Sequence, residues 1–106
     1  MYYVPDSWVL VTVKTENTSI TKVFAGWFGG FAAGDSWKLS SGVVDVVDHT
    51  DHIEYKNHSG SVYLCNKNCY GMSAYMRSIL NYLRNTSDLE IELLTNNLEI
   101  ELHDKF

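Results

Sequence analysis

The feature that most restricts the fold is a change of hydrophobic period. From Trp8 to Lys14 the chain reads Trp-Val-Leu-Val-Thr-Val-Lys, with Val9, Val11 and Val13 on one side of an extended backbone and Trp8, Leu10 and Thr12 on the other. That two-residue repeat belongs to a β-strand. After Tyr70 the repeat lengthens: Met72, Tyr75, Met76, Ile79, Leu80 and Leu83 fall at i, i+3, i+4, i+7, i+8 and i+11, while Ser73, Arg77, Ser78, Asn81 and Arg84 lie off this stripe. One apolar face of an α-helix is expected over 72–84, started by Gly71 or Ser73 and closed by Arg84 at the negative end of its dipole. Alternation returns in Leu89-Glu90-Ile91-Glu92-Leu93 and Leu98-Glu99-Ile100-Glu101-Leu102.

Between the first strand and the helix, turn residues cut the chain into short extended pieces. Glu16-Asn17-Thr18-Ser19 joins the first strand to Ile20–Phe28 as a hairpin. Ser36–Ser40 reads as a short strand, Val43–Val47 and His52–Lys56 as a hairpin around Asp48-His49-Thr50-Asp51, and Asn57-His58-Ser59-Gly60 as the turn into Ser61–Cys65. The expected fold is therefore α+β: a mainly antiparallel meander sheet or partly closed barrel of six to eight strands, one packed helix and a C-terminal β-hairpin. With 106 residues, 45% of them hydrophobic and only one proline, a single domain over 1–106 with one core is expected.

The tail pattern sets the face but not the register. Pairing Leu93 with Leu98 or with Ile100 puts all six aliphatic residues on one side in either case, leaving Glu90, Glu92, Glu99 and Glu101 on the other. Directly opposed like charges weaken a strand pair, so these glutamates are expected to meet Lys, Arg or a partner protein. An open edge there would favour strand addition and a homo-oligomer.

Charge and composition exclude several classes. The net charge of −5 sits wholly in the tail, since residues 1–87 carry seven acids and seven bases. Binding to nucleic acid is not expected, because it is driven by Lys and Arg neutralising phosphates. No apolar run is long enough to span a membrane, and Met1–Val13 lacks the basic-then-apolar order of a secretion signal, so the expected location is cytoplasmic. In that compartment Cys65 and Cys69 read as free thiols.

The densest functional signal is the stretch 26–42, which holds five of the seven glycines and two of the three tryptophans. It has no nucleotide-binding glycine motif and opens no helix. Its backbone amides at Gly29, Gly30, Gly34 and Ser36 suit an anion nest, with Trp27 and Trp37 stacking on a planar ring and Lys38 supplying charge. Ser61 and Tyr63, with Ser59 and the helix start at Tyr70–Ser73, would add hydroxyls and amides to the same pocket. The same residues also suit ordinary turns and a packed core.

Other constellations are weaker. Asp45, Asp48, His49, Asp51, His52 and Glu54 carry metal-ligand chemistry without a metal-site spacing, so a solvated turn is expected and no metal or cofactor is assigned. Cys65 lies in an apolar strand pattern, no nucleophile elbow exists, and no catalytic residue is assigned; His49 and His52 are the bases a small hydrolase would use.

The segments Ala25–Gly30, Gly34–Gly42, Ser59–Tyr63 and Tyr70–Ser73 resemble a group of small accessory proteins of tailed phages, over roughly residues 8–83. That resemblance implies no catalytic residue. It implies action in the host cell against host defence, by sequestering a nucleotide-like signal or by inhibiting a host protein.

Overall fold

The computed structural model describes residues 1–29 and 34–94. Among them the order is β1 (Tyr2–Tyr3), β2 (Ser7–Lys14), β3 (Ser19–Trp27), β4 (Ser36–Leu39), β5 (Val43–Asp48), β6 (His52–Asn57), β7 (Val62–Asn66), a 3-10 turn at Lys67–Cys69, α1 (Ala74–Thr86) and β8 (Glu90–Leu93). The chain is thus α+β, but the strands make no closed barrel among the described residues. They divide into two open four-stranded sheets, ordered β4-β3-β2-β8 and β1-β7-β6-β5.

Why two sheets form is visible in β2. Its residues are apolar on both sides, and both sides are buried: Trp8 and Leu10 pack with Val23, Ala25, Ile53, Tyr55, Tyr63 and Cys65 between the sheets. Val9, Val11 and Val13 pack with Phe24, Ile91, Met76 and Leu80 beneath the helix. A strand apolar on both faces belongs in a middle layer. The result is three layers, with the β2 sheet sandwiched between the other sheet and α1. Fully burying each large side chain contributes about 1.5–3 kcal/mol, and Trp8, Leu10, Phe24, Tyr55, Tyr63 and Met76 are all in that class.

The helix begins two residues later than its stripe. Ser73 is extended (φ −69°, ψ 167°) and its Oγ accepts from the Met76 amide, which makes it the N-cap and leaves Met72 outside the helix as a partly buried neighbour. At the other end the Ser87 amide and hydroxyl both donate to the Leu83 carbonyl, so the helix runs on through Thr86. Arg84 does more than oppose the dipole: its Nε donates to the Ile91 carbonyl and fastens β8.

Close approach of α1 explains one glycine. A Cβ on Gly26 would lie 2.5 Å from Met76 Sδ and 2.8 Å from its Cγ, and Met76 is fully buried. Any larger residue would force the Met76 side chain under the helix to shift.

The β2–β3, β5–β6 and β6–β7 pairs are antiparallel hairpins as the alternation predicts, and β4 folds back on β3. Two pairings were not legible. The dipeptide β1 runs parallel to β7, with Tyr3 beside Tyr63, and β8 adds antiparallel to β2, with Leu93 beside Val11. The expected second arm of the C-terminal hairpin, with Glu99 and Glu101, lies outside the described residues.

Candidate functional site: a cationic, hydroxyl-lined cleft

Where β4 ends, the two sheets part and leave a cleft of about 280 Å³ lined by Tyr3, Lys22, Lys38, Leu39, Ser40, Ser41, Ser59, Ser61 and Tyr63. One sheet supplies the lysines. Lys38 stands opposite Ala25 on β3, and its ammonium lies over the Tyr3 ring at 5.4 Å. Lys22, half-buried, reaches past the end of β4 to the Ser41 carbonyl at 3.2 Å. Among the described residues no carboxylate belongs to the lining, and neither lysine forms an ion pair with any of them. Two positive side chains thus line one cleft with no acidic partner among the described residues.

The serines are placed by the way β4 stops. Buried Ser40 replaces a further ladder step: its amide donates to the Val23 carbonyl, and its hydroxyl accepts from the Val23 amide, both at 2.9 Å. Gly42 then takes a φ of 144°, which favours glycine, and its carbonyl accepts from the His58 amide. That bond brings Ser41 against the β6–β7 turn. The Ser59 amide donates to Ser41 Oγ at 3.0 Å, Ser41 Oγ donates to Ser59 Oγ at 3.0 Å, and Ser59 Oγ donates to Ser61 Oγ at 3.3 Å. Asn57 holds the turn shut, its amide donating to the Ser61 carbonyl and its buried side-chain amide to the Tyr55 and Ser61 carbonyls.

Tyr3 and Tyr63 form the aromatic wall, with ring centroids 4.9 Å apart. Burial pushes the Tyr63 phenol up to about 12, with Tyr3 and Cys65 adding to the shift. It therefore keeps its proton at neutral pH and remains a donor.

The structure brings Lys38, Ser59, Ser61 and Tyr63 of the sequence-derived site residues into this cleft and sets the other described ones elsewhere. Trp27 is one ring away, edge-on to Tyr3 at 6.2 Å, and its indole N–H donates to the Val4 carbonyl. Trp37 pairs with Gly26 across β4–β3 and packs edge-on against Phe24, on the helix side of the sheet. Ser36 stands exposed opposite Trp27. A Cβ on Gly29 would collide with the Gly34 carbonyl, so the two glycines lie in close backbone contact, with Gly34 at φ 68°. Gly30 lies outside the described residues. The amides of Phe28 and Gly29 donate to Asp6 and Asp35, so the chain's own carboxylates take them. The Tyr70–Ser73 segment docks on the start of β2 instead, through Gly71 N to Trp8 O and Ser7 Oγ to Gly71 O.

Sequence reasoning left Tyr3, Lys22, Ser40 and Ser41 out of the site. Extending the β3–β4 ladder by two residues would have set Lys22 beside Ser41, whereas nothing in Tyr2–Tyr3 signals a strand.

The Asp45–Glu54 cluster is spent on local pairs. His49 Nε2 meets Glu54 at 3.1 Å, His52 Nδ1 meets Asp51 at 2.6 Å, and Lys67 bridges to Asp48 at 2.6 Å. The two imidazoles stack at 4.4 Å. Among the described residues no three His, Cys, Asp or Glu side chains converge on a metal position. Cys65 is buried and Cys69 half-buried, both as free thiols, and burial pushes the Cys65 thiol far up. In the tail, Glu92 meets Lys14 at 2.9 Å while Glu90 stays exposed. No described helix is long and apolar enough to cross a membrane.

Comparison of the chain with protein-family models, with curated proteins and with solved structures gives no match.

Proposed function

We propose that this chain is a phage accessory protein that binds a small phosphate-bearing or nucleotide-like ligand in the cleft between the two sheets, removing it from a host defence pathway. The observation that carries this reading is that Lys22 and Lys38 line one cleft with the Ser41–Ser59–Ser61 hydroxyl chain, and no carboxylate among the described residues joins them. Ammonium groups and hydroxyls are the donors that recognise phosphoryl oxygens, and charge-assisted hydrogen bonds are the stronger kind. The neighbouring Tyr3 ring offers a base an apolar surface, although the Trp27 and Trp37 pair expected to sandwich it stands apart.

Thermal-shift titration with inorganic phosphate and a panel of nucleoside mono-, di- and triphosphates and cyclic nucleotides tests the reading. A ligand at 100 times its Kd stabilises the fold by about 2.7 kcal/mol, which is a rise of several degrees in a chain of this size. The expected result is a rise for phosphate-bearing compounds that Lys38→Ala removes and His52→Ala leaves in place. A panel in which nothing raises the melting temperature, or a Lys38→Ala protein that responds like the wild type, would refute it.

A further inference from the structure

The donor pattern of the cleft goes further than a general taste for phosphate. We infer, resting on the binding reading above, that the group held by Lys22, Lys38 and Ser61 is a terminal phosphomonoester dianion, in preference to a phosphodiester.

Three observations lead there. Lys22 and Lys38 line one space of about 280 Å³ with no carboxylate among its described lining residues. A diester carries one negative charge and would leave one ammonium uncompensated beside the other; a dianionic terminus balances both. The hydroxyl chain also has a direction. Ser41 Oγ accepts from the Ser59 amide and passes its proton to Ser59, which passes its own to Ser61. The Ser61 proton is the free end of that chain, polarised by the bonds behind it. Tyr63, beside it in the lining, holds its phenolic proton. Every polar side chain at that end of the cleft thus offers a hydrogen, and none requires one. A deprotonated phosphomonoester has three terminal oxygens that only accept, whereas a diester has two and presents ester oxygens in place of the third. Lys22 adds orientation: anchored on the Ser41 carbonyl, its ammonium keeps two hydrogens for the ligand.

The ionisation of the ligand supplies the readout. A phosphomonoester gains its second charge with a pKa of about 6, so the dianionic fraction rises about tenfold between pH 5 and pH 7. Lysine, tyrosine and serine side chains are not of a type that titrates in this window. The nearby imidazole is that of His58, the residue before Ser59; a His58→Gln background keeps it out of the measurement.

The test is a calorimetric titration of the intact protein and of His58→Gln with adenosine 5′-monophosphate and with adenosine 3′,5′-cyclic monophosphate, at pH 5, 6 and 7. The monoester is expected to bind at least about tenfold more tightly than the cyclic diester at pH 7. Its affinity should fall about tenfold from pH 7 to pH 5 in both proteins, while any affinity for the diester stays flat. Lys22→Gln, which keeps a polar side chain at the surface, should bring the two ligands within about threefold of each other. Diester binding equal to or tighter than monoester binding overturns the inference and leaves the phosphate-binding reading standing. No binding of either nucleotide, with no response to inorganic phosphate, overturns both.

Discussion

Two polar clusters in this molecule look alike by composition and differ in how their charges are spent. The β5–β6 hairpin packs Asp48, His49, Asp51, His52 and Glu54 into seven consecutive residues, and each charge finds a partner at hand: His49 with Glu54, His52 with Asp51, Asp48 with Lys67. The cleft draws Lys22, Lys38, Ser41, Ser59 and Ser61 from three separate stretches, and its two ammonium groups meet a backbone carbonyl and a ring, with no carboxylate among the described lining residues. Local clusters satisfy themselves because turn geometry brings neighbours together at little cost in chain entropy. Among the described residues no acidic side chain pairs with either of the cleft's two lysines. That residual demand is what a ligand can meet.

The largest expected effect separates the two clusters directly. Replacing both Lys22 and Lys38 by Ala removes two charge-assisted contacts worth about 1.5–3 kcal/mol each, so affinity for a nucleoside monophosphate should fall by about 100-fold or more, measured by calorimetry. Replacing both His49 and His52 by Ala should move it less than about twofold, in keeping with the small effects of surface changes away from a site. Equal losses in the two double variants would erase the distinction.

A smaller effect tests whether the fold and the cleft are separable. Gly26→Ala drives a Cβ against buried Met76, and overpacking of this kind costs about 1–3 kcal/mol. Denaturant unfolding should show that loss while ligand affinity at 25 °C is preserved, because Gly26 is not among the residues that line the cleft. A wild-type stability for Gly26→Ala would mean that Met76 yields easily and the glycine serves another purpose.

The smallest expected effect is in the pH dependence of stability. Tyr63 in the cleft wall is raised to about 12, so between an unfolded tyrosine value near 10 and that figure the unfolded state holds fewer protons than the folded one. Stability present below pH 10 is therefore lost as the pH climbs toward 12, and Tyr63→Phe should flatten that limb of a denaturation series; buried Cys65, also raised, acts in the same direction at a lower onset. The hairpin speaks at the other end of the scale. The His52 imidazole holds the Asp51 carboxyl below its ordinary 3.8, a contribution present above that value and lost as the pH falls, and so exposed a pair should give only a slight slope. An alkaline limb unchanged in Tyr63→Phe would remove the phenol from the wall's account.

What could be read from the sequence follows the range of the interactions. The strands of β2, β3, β5, β6 and β7 and the helix were legible because each declares its period within a dozen residues. Ser73 was visible as a cap for the same reason. The division into two sheets was less so, although the two-sided burial of Trp8, Leu10, Val9 and Val11 is its direct cause. For the cleft, Lys38, Ser61 and Tyr63 were within reach from their chemistry. Lys22 and Ser41 required the β3–β4 register, and Tyr3 required a parallel pairing of two residues that no local pattern announces. Trp37 drew attention as an exposed aromatic amid glycines, and one step of strand parity turns it to the helix side while Lys38 faces Tyr3. Composition points to a stretch, and parity decides which of its side chains meet.

The claim at the centre is that the uncompensated cluster binds and the self-paired one does not. Backbone amide chemical shifts of isotopically labelled protein, followed while a nucleoside 5′-monophosphate is titrated in, test it most directly. Shifts concentrated at Lys22, Lys38, Ser41, Ser59 and Ser61 are predicted, with Asp48 to Glu54 unmoved. Shifts centred on the Asp48–Glu54 hairpin, or spectra that do not change at all, would contradict it.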